Sequence, residues 1–344
     1  MHKKNIFLII ILISFLFISC KKDKNNLYSI SISPNSMVGT PAEVFSLQQI
    51  KMFQASNSFI CSFVSELKKD DINQNLVIAP FYLMNNIILD TLLAPYTDAY
   101  SQKYDISMTS PAQMISCINQ FNKTVKQIDS SIDIQSKIDS ETDSEINISQ
   151  TLDIKLLYNN VAPNDIDNIF TNFDGTKRRI DFITLSDNIN VCINDMEKVC
   201  EIPIGNGNYT MMLISPLNQS IKEYIATFDE KKYRFLINSM ELRKVNVSFP
   251  LGNIFTNDYI VQMPKYKKGD SIVAFPKQLK LNSHFLISQA DPTIISSTNM
   301  PQQNNGLMQT NDSSPLKYNA PFLLIIRGKN SNLIMLFCIC LAIE

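Results

Sequence analysis

The 344-residue sequence has no tryptophan, only two histidines and only eight glycines. His2 lies in the first segment of the chain, so His284 is the one histidine in its body. This scarcity excludes a histidine-rich metal site, and the cysteines lack the C-x-x-C spacing of zinc sites. The glycines form neither a G-x-G-x-x-G fingerprint nor a phosphate-binding loop. We therefore expect no cofactor and no bound metal.

The chain also lacks an excess of charge of either sign. Its formal net charge is -1, and charged residues make up 18% of the sequence. No basic stripe follows the chain that could track a phosphate backbone. Nucleic acid is therefore not expected as a partner, and the 45% of hydrophobic residues suffices for a large core.

The N-terminus reads MHKKNIFLIIILISFLFISC. An apolar run of thirteen residues, Ile6 to Ile18, follows two lysines and is shorter than the roughly 20 residues of a bilayer span. This arrangement is typical of a secretory signal. The stretch Phe17 to Cys20 resembles the lipobox of bacterial lipoproteins, in which cleavage precedes a cysteine that becomes acylated.

The resemblance implies an envelope protein that is lipidated at Cys20. It would be secreted across the inner membrane and anchored on the periplasmic or the outer surface, and it would touch the membrane only through its lipid. The alternative is an ordinary cleaved signal with an incidental cysteine. The predicted segments are a signal peptide over 1–19, a polar tether over 20–39 and a folded domain over 40–344.

The six cysteines after Cys20 are too few for a disulfide scaffold. Cys338 and Cys340 alternate on a predicted strand, so they share a face and are poorly placed to bond each other. Cys192 and Cys200 could pair across a hairpin. Buried free thiols are the expected state for most of them.

Helical spacing predicts two helices in the first third of the domain. Thr40-Pro41-Ala42-Glu43 has the pattern of a capping box that opens the first helix. Its apolar stripe predicts a buried face and consists of Phe59, Ile60, Phe63, Val64 and Leu67. A short strand, NLVIAP, stops at Pro80, and a second helix follows it and ends near Pro95.

The middle of the chain predicts a sheet. Residues 126–150 interleave Ser, Asp and Glu with isolated Ile, which leaves a polar surface segment and short edge strands as open alternatives. Short β-like runs then follow up to Pro216. Helical spacing returns over residues 220–240, and KVNVSFPL alternates as a strand.

The last part of the chain differs in character. Residues 288–315 are rich in Gln, Asn, Ser and Pro, and so long a stretch without evident secondary structure is uncommon unless it has a function. Two apolar runs close the chain around a turn at Gly328 to Asn332. Runs without alternation predict strands that are covered on both faces. A membrane span is excluded because Leu333 to Ile343 is only eleven residues long.

Several stretches resemble the serpin family. NSFICSFVSELKKDDINQNLVIAPFYLMNNIILDTLLA is similar to its opening helix, strand and buried second helix. NGNYTMMLISP and KVNVSFPL are similar to two of its strands, and Tyr318 to Phe322 with the terminal hairpin resembles its closing signature. Three features depart from the family: the absent tryptophan, a shortened middle region, and an unusual composition after LKLNSHFLIS.

The resemblance implies an α+β, serpin-like fold with helices around a large central mixed sheet and a second sheet closed by the C-terminal hairpin. It also implies a non-enzymatic monomer that presents a reactive loop, residues 288–317, as bait to a serine or cysteine protease. Counted back from Tyr318 with the spacing that serpin loops have, the resemblance places the bait bond near Gly306 and Leu307, with Met308 as the next candidate. No Lys or Arg occurs from Leu281 to Leu316, so we expect a protease that prefers aliphatic or Met side chains rather than a trypsin-like one.

The hinge that would enter the sheet is unusual for an inhibitor. It comprises Asp291, Pro292, Thr293, Ile294, Ile295, Ser296, Ser297 and Thr298. Pro292 cannot donate to a strand ladder, and two adjacent isoleucines replace the small residues that inhibitory members share at this place. The alternatives are a non-inhibitory binding or structural lipoprotein, for which the loop is a passive surface, and a hydrolase that uses His284.

Overall fold

A computed structural model describes residues 45–67, 72–88, 94–103, 116, 119, 121, 123, 132–156, 168–204, 207–289 and 315–344. The predicted signal, lipidation site, tether and Thr40 capping box lie outside the described residues. Helices and strands, numbered here along the chain, are α1 Leu47–Glu66, β1 Leu76–Ile78, α2 Pro80–Ile88, α3 Ala94–Lys103, β2 Ile132–Glu141, β3 Glu145–Leu156, β4 Ile169–Thr171, β5 Lys177–Arg179, β6 Phe182–Ile193, β7 Glu197–Ile204, β8 Tyr209–Pro216, α4 Ile221–Ile225, α5 Glu230–Asn238, β9 Glu241–Pro250, β10 Gly252–Val261, β11 Tyr266–Lys268, β12 Ser271–Val273, β13 Gln278–Gln289, β14 Leu316–Lys317, β15 Phe322–Gly328 and β16 Ile334–Cys340.

Helix α1 begins at a capping box of its own. The Ser46 hydroxyl accepts from the Gln49 N–H at 3.2 Å, and the Gln49 side chain accepts from the Ser46 N–H at 2.9 Å. Two of the N–H groups at the helix start are thereby satisfied. The predicted stripe from Phe59 to Leu67 is buried, which confirms that this face packs into the core.

Pro80 marks the change from strand to helix. It ends β1 because it has no N–H for a ladder, and it occupies the first position of α2, where no helical partner is needed. Helix α2 ends at Ile88, and a separate helix, α3, begins at Ala94.

A four-stranded sheet has the order β10-β13-β3-β2. Strands β10 and β13 are antiparallel, and so are β2 and β3, whereas β13 and β3 run parallel. Strand β2 and the first half of β3 come from the region, 126–150, that the sequence left undecided between surface segment and edge strands. One of them, β2, is indeed an edge strand, but β3 lies inside the sheet.

An eight-stranded sheet has the order β1-β16-β15-β8-β7-β6-β9-β14. The sequence has two β-like runs here, 178–185 and 189–193. The start of the first run lies in β5, and its end, from Phe182, joins the second run in one long strand, β6. All residues of β15 and β16 are buried, which confirms the prediction that the closing strands are covered on both faces. The C-terminal hairpin thus lies inside the larger sheet, between β1 and β8.

The helical pattern of residues 220–240 forms two short helices instead of one. Ser220 and Glu223 make a capping box for α4, and the Asp229 side chain caps α5 at the Lys232 N–H, so the chain restarts its helix. The apolar positions of the pattern are buried in both helices. Within the described part of the chain, none of the helices has the length and apolarity to cross a bilayer.

Candidate functional site

The predicted bait residues Gly306, Leu307 and Met308 lie outside the described residues, and so does the predicted hinge, Asp291 to Thr298. Their placement therefore stays a prediction. The structure does describe the two strands that flank them, β13 on the N-terminal side and β14 on the C-terminal side, and these define the candidate site.

The C-terminal end of the loop is fixed in the eight-stranded sheet. Strand β14 pairs with β9 in a parallel register, Leu316 beside Val247 and Lys317 beside Ser248. The Tyr318 N–H donates to the Ser248 carbonyl at 2.8 Å, and the Tyr318 side chain is buried. These contacts hold the chain just after the loop in one place.

The N-terminal end of the loop leaves the middle of the four-stranded sheet. Strand β13 is flanked by β10 and β3 along its length and ends at Gln289, level with Leu156 of β3. The loop therefore connects an interior strand of one sheet to the edge strand of another. An intact loop is tied at both ends, and a cut loop would be tied at one.

The parallel pairing of β3 with β13 is the central feature of the site, and we name it the seam. It runs for twelve residue pairs, from Glu145 beside Gln278 to Leu156 beside Gln289. A chain that leaves β13 at Gln289 and turns back runs antiparallel to both strands of the seam. A strand entering here would replace one parallel ladder by two antiparallel ones, which are slightly more stable per residue.

The core side of the seam carries polar groups where apolar ones would be expected. Gln150 on β3 is paired with Ser283 on β13, and both are buried. The Gln150 amide accepts from the Ala79 N–H at 2.9 Å and donates to the Ala79 carbonyl at 3.2 Å. The Thr256 hydroxyl on β10 accepts from the Val77 N–H at 2.8 Å.

These bonds have a clear physical cause. Strand β1 is the last strand of the eight-stranded sheet, so one edge of its backbone needs partners from elsewhere. Gln150 supplies them from one side of the seam and Thr256 from the other. The short segment Val77 to Ala79 therefore bridges the two halves of the four-stranded sheet.

His284 lies on the opposite face of β13 and has a structural environment. Its Nε2 is 2.8 Å from Asn253 Oδ1, and its ring stacks on Phe255 with 4.7 Å between the centroids. In a catalytic triad, a carboxylate orients the imidazole and stabilises its positive charge, and a neutral amide cannot stabilise that charge in the same way. This geometry favours the structural interpretation of His284 over the hydrolase alternative.

The described cysteines are poor nucleophiles. Cys61, Cys192, Cys200, Cys338 and Cys340 are buried free thiols, as expected for most of them. Burial is the main cause that raises the pKa of Cys61 and of Cys200 to about 12, and burial also raises the pKa of Cys338. The thiolate, which is the reactive form, is therefore scarce at neutral pH. Within the described ranges, no group of three His, Cys, Asp or Glu residues is placed to hold a metal ion.

The seam itself was not evident from the sequence. Alternation of Ile146, Ile148, Leu152, Ile154 and Leu156 was available as a strand signal, since these side chains all face the core. Gln150 interrupts the pattern at its centre, and only the fold explains why a polar residue belongs there. The parallel direction of the pair could not be read from the sequence at all.

Comparisons with known proteins agree with this architecture. No protein-family model matches the chain, and no curated protein sequence matches it significantly. Among solved structures, the mouse protein-Z dependent protease inhibitor is similar with a TM-score of 0.57 and 11% identity, over 86% of this chain and 99% of that chain. Native protease nexin-1, crystallised with heparin, is similar with a TM-score of 0.56 and 11% identity, over 85% of this chain and 100% of that chain.

A third similar structure is SRPN18 from Anopheles gambiae, with a TM-score of 0.56 and 10% identity, over 86% of this chain and 99% of that chain. The three neighbours are serpins. The chain therefore has a serpin-like fold, which confirms the predicted α+β class with two sheets. At this level of identity the likeness shows the fold alone.

Proposed function

We propose that the protein inhibits a serine or cysteine protease by inserting its cleaved loop into the seam. The observation that supports this most is the position of β13. It delivers the loop to the open end of a parallel pair of strands, where a returning segment gains two antiparallel neighbours. The chain itself then needs no catalytic residue.

The chemistry belongs to the target protease. Its nucleophilic oxygen or sulfur attacks the carbonyl carbon of the bait bond, the C–N bond breaks, and the leaving amine takes the proton. We place this bond near Gly306, Leu307 and Met308. The acyl-enzyme now holds only the N-terminal part of the loop, which is free to enter the seam and carry the protease with it.

The loop sequence sets the class of protease. It offers no Lys or Arg between Leu281 and Leu316, so an acidic specificity pocket finds no cation to bind. Leu307 and Met308 fit the apolar pockets of elastase-like or subtilisin-like enzymes. We therefore propose that the target protease prefers aliphatic or Met side chains. We also propose that the inhibitor acts as a monomer.

Incubation with an elastase-like, a subtilisin-like and a papain-like protease tests the proposal. We expect a complex with at least one of them that survives denaturing electrophoresis, and mass spectrometry of the new C-terminus should locate the cut at residues 306–308. Thr293→Arg should convert the inhibitor into a substrate, because a bulky cation would have to enter the sheet. Asn311→Arg, beyond the predicted bond, is the control and should still form the complex. Rapid cleavage without a complex by all three proteases would contradict the proposal.

A second candidate function is supported by the hinge sequence. Pro292 and Pro301 leave only eight residues between them that can donate without interruption to a ladder, and Ile294 and Ile295 are bulky. A chain that has lost insertion would be a serpin-like binding or structural lipoprotein. It would be cut by the same proteases and would release them.

We also propose that the protein is lipid-anchored at Cys20 in a bacterial envelope. The support is the lipobox-like stretch that ends the apolar N-terminal run. Expressed in a bacterial host, the chain should incorporate radiolabelled palmitate and sediment with membranes. Cys20→Ser should abolish both, whereas Cys192→Ser should change neither. Membrane association that persists without label incorporation would argue for retention by another route.

A further inference from the structure

Two ion pairs span the seam at the end that lies farthest from the loop. Lys280 on β13 contacts Glu145 on β3 at 2.9 Å. Lys277, directly before β13, reaches past the start of β3 to Glu141 at the end of β2. Each pair joins a residue on one side of the seam to a residue on the other.

The position of these pairs divides the seam into two parts. Nine residue pairs, from Leu281 to Gln289 of β13, lie between the ion pairs and the loop. The remaining three, at Gln278, Leu279 and Lys280, lie at the ion pairs themselves. A strand that enters from the Gln289 end therefore meets the ion pairs last.

The charged groups of the seam are partly withdrawn from water. The Lys277 side chain is only 3% exposed, and the Lys280 and Glu145 side chains are 31% and 26% exposed. Hydrogen bonds from Lys280 and from Asn147 lower the pKa of the Glu145 carboxyl, so it stays ionised at neutral pH. Ion pairs in such places are screened less by salt than fully exposed ones.

Opening the seam by one strand cannot leave these pairs intact. Adjacent strands lie about 4.8 Å apart, so an inserted strand moves the two halves of the sheet apart by about that distance. Lys280 would then be too far from Glu145 for an ion pair, and Lys277 too far from Glu141. The Lys277 side chain is buried, and separating a buried cation from its carboxylate is costly.

We propose that Lys277, Lys280, Glu141 and Glu145 form a seam latch that limits how far the four-stranded sheet opens. This inference rests on the proposed function, because it regulates the same insertion site. Up to nine pairs of the seam open without breaking the latch, and complete insertion requires that it break. The latch thereby holds the native sheet closed at one end while the loop end remains free to open.

Hydrogen exchange of the full-length protein tests the latch without any protease. Lys280→Glu and Glu145→Lys each place like charges across the seam, and we expect roughly three- to tenfold faster amide exchange in β3 and β13. The acceleration should be greatest near Gln278 and smaller near Gln289. Strands β15 and β16 of the other sheet serve as the internal reference and should be unchanged.

The double variant Lys280→Glu/Glu145→Lys restores the pair with reversed charges and should return exchange to the original rate. Lys268→Glu is the matched control, because Lys268 pairs with Asp98 at 3.0 Å away from the seam. If the double variant exchanges as fast as the single ones, or if Lys268→Glu has the same effect, the latch does not exist. Neither result depends on whether the protein inhibits a protease. If hydrogen exchange supports the latch but no covalent complex forms with any protease, only the proposed function is contradicted.

Discussion

A single cut in the loop near Gly306 to Met308 should raise the unfolding temperature of the protein by about 10 °C or more, which for a domain of this size corresponds to roughly 6 kcal/mol or more. The reason is the arrangement of the two loop ends. Gln289 is held in the interior of the four-stranded sheet, and Leu316 is held at the edge of the eight-stranded one. An uncut loop cannot enter the seam fully without pulling β14 away from β9. Cleavage removes that restraint.

The gain comes from the backbone of the seam. The inserted strand pairs with β3 on one side and with β13 on the other. Its backbone N–H and C=O groups are therefore hydrogen-bonded along both edges, as in any interior strand. Differential scanning calorimetry before and after limited cleavage by an elastase-like protease measures the change. Thr293→Arg, cut at the same bond, is the control and should show no rise.

The opposite result would be equally informative. A cut protein that melts at the same temperature as the intact one, or lower, would mean that the loop stays outside the sheet. That outcome would favour the non-inhibitory lipoprotein, and Pro292 would be its physical cause. Replacing Pro292 by Ala should then restore part of the rise, because Ala can donate to the ladder.

How much of this fold could be predicted depended on the kind of signal each segment carries. The terminal hairpin was predictable because its strands are apolar over long runs, Phe322 to Ile326 and all of β16, which only a fully covered strand tolerates. The Phe59 to Leu67 stripe was predictable because helical spacing is local. Both signals survive in a single sequence because they do not depend on distant partners.

The seam could not be predicted for the complementary reason. Its parallel pair joins Glu145–Leu156 to Gln278–Gln289, and the contacts are set by chain topology rather than by local spacing. From the sequence alone, Gln150 would be predicted as a surface residue. Only the fold shows that its side chain is buried and bonds the backbone at the edge of β1. The latch residues likewise read as ordinary surface charges, since Lys277 and Glu141 are far apart in the sequence.

The same limit applies to the charged pair that stabilises the other sheet. Glu201 on β7 and Arg327 on β15 are 5% and 7% exposed, and the Arg327 Nε donates to Glu201 Oε1 at 2.7 Å. The Thr210 hydroxyl donates to the same oxygen at 2.8 Å from β8, the strand between them. Burial alone would lower the pKa of Arg327, but the charge of Glu201 outweighs it and the pKa is raised.

This pair supports the loop as well as the hairpin. Strand β15 begins at Phe322, shortly after the loop anchor at Leu316 to Tyr318, and the rings of Tyr318 and Phe322 contact each other with 6.3 Å between their centroids. If β15 loosened, the C-terminal end of the loop would loosen with it. The protein would then lose the restraint that keeps an uncut loop out of the seam.

Arg327→Met should therefore lower the free energy of unfolding by about 3–5 kcal/mol, because it leaves Glu201 as a buried charge with no cation. Adding Glu201→Gln should recover at least about half of that loss, since the orphaned charge is removed. Urea denaturation followed by circular dichroism measures both changes. Arg234→Met is the matched control: its partner Glu230 and Arg234 itself are 40% and 38% exposed, so the loss should be below about 1 kcal/mol. Equal losses of stability in Arg327→Met and Arg234→Met would contradict this prediction. They would show that the Glu201–Arg327 pair stabilises the protein no more than an exposed ion pair does.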